Sequence, residues 1–138
     1  MNRTELQQLA ELRLREAKKL LDSDCNEGAY YLAGYALECA LKACVARKTQ
    51  QFDFPDKKLV SQVFTHNLVQ LLRVSGLENE LHKEIQLNAD FGDNWDVAKD
   101  WNEEARYLSQ IQPQTAKDLY AAISDTHSGV FTWLKKFW

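Results

Sequence analysis

Between Glu27 and Lys48 the chain reads EGAYYLAGYALECALKACVARK, and from Ala29 to Ala46 almost every residue is apolar or small. Gly34, Glu38 and Lys42 nevertheless recur four apart, and Glu27 and Tyr31 extend the row upstream. At helical spacing these positions form one polar stripe along an otherwise buried helix. A run of this length raises the question of a membrane span, but a Glu and a Lys inside it would each cost about 3 kcal/mol there. The stretch is therefore read as the central helix of a water-soluble bundle. Glu38 precedes Lys42 by four residues, the favourable order for a side-chain pair, and Tyr35 stands one turn before Glu38.

A chain of 138 residues can bury one sizeable core, so a single domain over residues 1–138 is expected, with no need of disulfide or metal staples. Its 17 basic and 20 acidic residues give a formal charge of -3. The field of the whole molecule thus does not favour nucleic acid, and only a local basic groove would. Cys25, Cys39 and Cys44 are odd in number and lack the spacing of metal ligands. Three free thiols are expected, as in a reducing cytoplasm. The N-terminal MNRTELQQLAELRLREAKK alternates charge with Leu and does not have the pattern of a signal peptide, so the mature chain is expected to start here.

In chain order, Asn2 with Glu5 predicts a capping box for a first helix whose inner face is Leu6, Ala10, Leu14, Ala17 and Leu21. A second box, Asp24 with Glu27, is expected to open the central helix after a short turn. The segment TQQFDFPD, with Pro55, reads as a loop, followed by a short helix near Lys57–Val63. Thr65 is placed to cap a helix over 67–75, and Gly76 to end it in the left-handed conformation with Leu77 folded back on Leu72. The next helix carries Leu77, Leu81, Ile85 and Ala89. Asp93 is expected to cap another, with Trp95, Ala98, Trp101, Ala105 and Leu108 as its stripe. Pro113 opens the last, whose core face reads Ala116, Leu119, Ile123, His127, Val130, Leu134 and Phe137. No segment alternates with period two, so the fold class is all-α, an up-and-down bundle, without linker or repeat.

The chain holds no phosphate-cradling glycine loop, no HExxH, no GxSxG and no carboxylate run spaced for a hard metal. No cofactor or metal is expected. His82 reads as solvated and His127 as a satisfied core histidine. His66, in FTHNLVQLL, stands at a loop-to-helix junction where it either buttresses the cap or strengthens an anion site. Arg106, in WNEEARYLSQ, either pairs with Glu103 or holds phosphate in a bidentate manner with Tyr107 beside it. The stripe of Tyr31, Tyr35, Glu38 and Lys42 is a polar seam that fixes helix register, a ligand groove, or both.

The order of these segments, AYYLAGYALECALKACVARK, then FTHNLVQLL, then EEARYL, then a long terminal helix, resembles the HEPN domain family of prokaryotic nucleotidyltransferase modules and defence and toxin systems. Ala36, Glu38, Ala40, Leu41, Lys42 and Ala43 match its small-residue core motif, Thr65, His66 and Leu68 a Thr-His-x-Leu motif, and Arg106 and Tyr107 an Arg-Tyr motif. The resemblance implies a bundle of about five helices, usually a homodimer. Many members are metal-independent endoribonucleases in which an Arg is followed four to six residues later by His. Arg106 is followed by YLSQIQPQ, Arg73 has its next His nine residues on, and Arg47 has none until His66, so this motif is absent. Other members are non-catalytic partners of a separately encoded nucleotidyltransferase, thought to bind a nucleotide or the transferase's substrate.

The leading expectation is accordingly a non-catalytic binding module for such a partner or for a nucleotide or other phosphate-bearing ligand. The alternative is an RNA-cleaving toxin or defence enzyme with His66 as acid/base and Arg106 stabilising phosphate charge. His66, Arg106 and Tyr107 are expected to converge on one partly open groove, with Tyr31 and Tyr35 as its aromatic wall and Glu38 with Lys42 as a structural pair. The small residues Ala33, Gly34, Ala36, Ala40 and Ala43 suggest close approach on more than one side of the central helix, and hence a dimer.

Overall fold

The computed structural model describes residues 1–49, 54 and 56–138, and among them the chain is all-helical, without a strand. The loop expected around Pro55 lies for the most part outside the described residues. The elements are α1 (Arg3–Asp22), α2 (Asn26–Lys48), α3 (Lys57–Val63), α4 (Leu68–Val74), α5 (Glu78–Leu87), α6 (Ala89–Ala98), a 3-10 turn (Glu103–Tyr107), α7 (Pro113–Ser124) and α8 (Val130–Leu134).

The Asn2 carboxamide accepts from the Glu5 amide at 2.9 Å while the Glu5 carboxylate accepts from the Asn2 amide at 2.8 Å, so the expected capping box opens α1. The second box does not form. Asp24 instead adopts a left-handed φ of 59° and closes α1, with the Cys25 amide reaching the Leu20 carbonyl at 2.8 Å and the Asp24 amide reaching Leu21 at 3.2 Å. This is the helix ending usually given to glycine, tolerated here because Asp is among the residues that enter that region most readily. Cys25 then precedes α2 with no side-chain cap, and Glu27 is released for another task.

Helix α2, about 35 Å long at 1.5 Å per residue, is the axis of the fold. It packs against α1, α4, α7, α8 and the 3-10 turn. Ala29, Ala33, Ala36, Ala40 and Ala43 are fully buried within this one chain, and Gly34 is buried as well. The small residues that suggested a partner surface are thus consumed by intramolecular neighbours, whose backbones approach closely over missing side chains.

Two long helices expected from periodicity are interrupted, which yields more pieces than five. Helix α6 begins before Asp93, because the Asn88 side chain accepts from the Phe91 amide at 3.2 Å and sets the start there. It ends at Ala98, and the Asn102 side chain accepts from the Glu104 amide at 3.0 Å to open the 3-10 turn. Trp95, Ala98, Trp101 and Ala105 are buried as the stripe requires, but Leu108 is about half exposed. The final helix breaks at Asp125, whose carboxylate takes the His127 and Ser128 amides at 2.9 and 2.7 Å. A local side-chain bond of this kind competes with the helical ladder. His127 consequently lies exposed in the turn, not on the core face. Gly76 has the expected positive φ of 77°, with the Leu77 amide returning to the Leu72 carbonyl at 3.4 Å.

Candidate functional site

The polar stripe of α2 reaches its most buried point at Glu38, whose side chain is 2% exposed. Its Oε1 accepts from Lys42 Nζ at 2.8 Å and from His66 Nδ1 at 2.9 Å. The first bond follows from helical spacing. The second is delivered by the loop between α3 and α4, which is held by Thr65 Oγ1 accepting from the Asn67 amide at 3.1 Å and by Asn67 Oδ1 accepting from the Gln70 amide at 2.9 Å. Asn67, not Thr65, is therefore the cap of α4. That helix has seven residues, and the His66 ring is engaged by Glu38.

A buried carboxylate survives only with partners that offset its lost hydration. Lys42 and His66 supply them at Oε1, whereas Glu38 Oε2 meets no protein hydrogen-bond partner. Because an ionised carboxylate accepts only, the His66 Nδ1 carries the hydrogen, and Nε2 is left as the ring's second polar atom on a side chain that is 45% exposed.

Toward the N-terminal end of the stripe, Tyr31 and Tyr35 stack at 6.1 Å with 5° between ring planes, and Tyr31 stacks on Trp101 at 6.1 Å. Burial raises the Tyr35 phenol above its ordinary pKa, and the neighbouring Cys39 and Glu38 add to the effect. Trp101 lies against Gly34, where an added Cβ would stand 2.1 Å from its Cε2. The Arg106 guanidinium sits 4.9 Å from the centre of the Tyr107 ring, and Tyr107 first, then Tyr31, favours its charged form. It pairs with neither Glu103 nor Glu104.

The residues singled out by sequence therefore gather along one face of α2 but at different places. Arg106 and Tyr107 adjoin the Tyr31 end, while His66 is attached at Glu38, seven residues and about 10 Å further along the helix. Lys42 pairs with Glu38 as expected. Glu27, in the polar row, and Trp101, in the apolar stripe, make contacts here that their positions in the sequence do not specify. Glu27 accepts from the Ile111 amide at 3.0 Å, which holds its carboxyl below the usual range and fixes the segment after the 3-10 turn onto α2. Trp101 had a signal in principle, since an isolated glycine inside a helix often marks a close neighbour.

Among the described residues, no group of three or more His, Cys, Asp or Glu side chains is arranged to hold a metal ion, and no helix is long and apolar enough to cross a membrane. A family model described as HEPN domain matches residues 4–137. Comparison with curated proteins and with solved structures gives no match.

Proposed function

The chain belongs to the HEPN domain family, and from that premise we propose that it is a non-catalytic binding module of the cytoplasm that dimerises and either pairs with a nucleotidyltransferase or takes a nucleotide or other phosphate-bearing ligand along the α2 stripe. The observation that supports this reading is that Arg106 and His66 are engaged by different partners. The family's nuclease chemistry needs an Arg and a His close together, whereas here Arg106 rests on Tyr107 and His66 is held on Glu38. Both remain accessible enough to meet an anion, and Tyr31 with Tyr35 offers an aromatic wall between them.

Dimerisation is supported by an apolar groove of about 440 Å³ between the start of α1, the end of α2 and α3, lined by Leu6, Val45, Val60, Val63 and Phe64 among others. Phe64 is 81% exposed there, a large apolar surface to leave in water.

Nucleotide titration of the purified protein tests the reading. Weakened binding in folded His66→Ala and Arg106→Ala variants supports it, and affinity unchanged in both refutes the placement of the ligand. One observation favours the second reading, an endoribonuclease of a toxin or defence system. A carboxylate on Nδ1 orients an imidazole so that Nε2 can exchange a proton with a substrate. Cleavage of structured RNA that disappears in His66→Ala would favour that reading over the first.

A further inference from the structure

Among the described residues, two buried side-chain polar atoms have no protein partner, Glu38 Oε2 and Trp101 Nε1. One is an acceptor and the other a donor. Leaving either unsatisfied in the interior is costly, because the group loses its hydration and gains nothing in return, so two orphans of opposite sense in the same region call for a shared explanation. Their placement supplies one. The Trp101 five-membered ring lies over Gly34, with Nε1 2.2 Å from the position of a Gly34 Cβ. Glu38 is the residue four positions on, where Cβ positions are about 5–6 Å apart. Side chains on a helix lean toward its N-terminus, which carries the Glu38 carboxylate toward Gly34 and the indole.

We infer that one enclosed water joins Trp101 Nε1 to Glu38 Oε2, accepting from the indole and donating to the carboxylate, and that this link makes Trp101 a positioning residue for His66. Glu38 is then held by three elements: Lys42 on its own helix, His66 from the loop before α4, and Trp101 from the segment after α6. The carboxylate that orients the His66 ring is fixed on its far oxygen by the same indole that stacks on Tyr31. The two ends of the stripe are thereby mechanically joined. The importance of the link rests on the reading of His66 as a ligand-facing group, but the link itself is defined without any ligand.

The titratable and charged groups around it are Tyr35, Cys39 and Lys42 on α2, Arg13 on α1 and His66 from the loop. Of these residue types, histidine is the one that ordinarily changes charge between pH 5 and 8. The test is an NMR titration of the ¹⁵N-labelled full chain over that range. The Trp101 indole resonance is assigned through the backbone, or by its loss in Trp101→Phe. The expected result is an indole N–H that exchanges slowly with solvent and shifts with the same midpoint as the His66 ring. Trp101→Phe, which keeps most of the volume but removes the donor, is expected to raise the His66 midpoint by a few tenths of a pH unit, since the carboxylate becomes more basic. An indole resonance that stays flat through the His66 titration overturns the inference. So does a His66 midpoint unmoved in folded Trp101→Phe, the outcome of a packing role alone. Because no ligand is present, either result leaves the ligand-binding proposal to its own titration.

Discussion

Trp101 lies flat on Gly34, with Cε2 2.1 Å and Nε1 2.2 Å from the point where any side chain at Gly34 would place its Cβ. Trp101 is 2% exposed, so making room for a Cβ means shifting a large ring inside the packed core. Gly34→Ala is therefore expected to destabilise the protein by about 1–3 kcal/mol, the range for overpacking a filled core, although alanine alone favours the helix. Urea denaturation measures this, and a variant as stable as the parent would mean that the indole can move aside.

Removal of the Glu38 side chain tests the hub of the site. Glu38→Ala deletes two charge-assisted contacts and leaves a void in α2. Lys42 and His66 reach solvent and rehydrate, which discounts the loss, so about 2 kcal/mol is expected. The same denaturation experiment reads it, and a cost near zero would contradict the shared carboxylate.

Thiol reactivity should divide sharply. Cys25 is exposed, while burial pushes Cys39 up to about 11 and Cys44 up to about 12. A thiol-specific reagent is expected to label one cysteine quickly in the native protein and the other two only on unfolding. In the unfolded chain these thiols lose their protons near 9.0, whereas the folded chain keeps them, so the unfolded state binds fewer protons above that pH. Stability should be fully present below about 9 and fall progressively toward 11 and beyond. A thermal midpoint that holds constant from pH 9 to 11 would contradict this.

The turn between α7 and α8 depends on Asp125, whose carboxyl is held below its ordinary range by the Ser128 amide first and the His127 amide second. A lowered pKa adds stability above the unfolded value and loses it as pH falls through the folded one. Asp125→Ala is thus expected to lower the thermal midpoint at neutral pH, with the gap to the parent closing in acid below about pH 4. A gap independent of pH would assign the effect to the turn's shape alone.

Much of this architecture is legible in the sequence because its causes are local. The Asn2 cap, the Gly76 ending, Pro113 at the start of α7 and the Glu38–Lys42 pair each depend on residues within one or two turns of one another. The failures share the opposite property or a close competitor. Asp24 carries the chemistry of an N-cap but ends the preceding helix instead. Asn88 captures the start of α6 ahead of Asp93, and Asp125 breaks a stripe that otherwise runs unbroken to Phe137. The junction around His66 is legible, but the ring's partner stands 28 residues away, and Trp101 meets Gly34 across 67 positions. No window along the chain contains either contact.

The single oxygen that Lys42 and His66 share has a consequence for how the site can be dissected. Replacing either one releases the other to a stronger bond with Glu38, so single substitutions will understate both, while replacing Glu38 removes two contacts in one step. Alanine effects at these three positions should be markedly non-additive. A scan that changes residues one at a time would credit the stripe's importance to Glu38 and overlook the pair it serves.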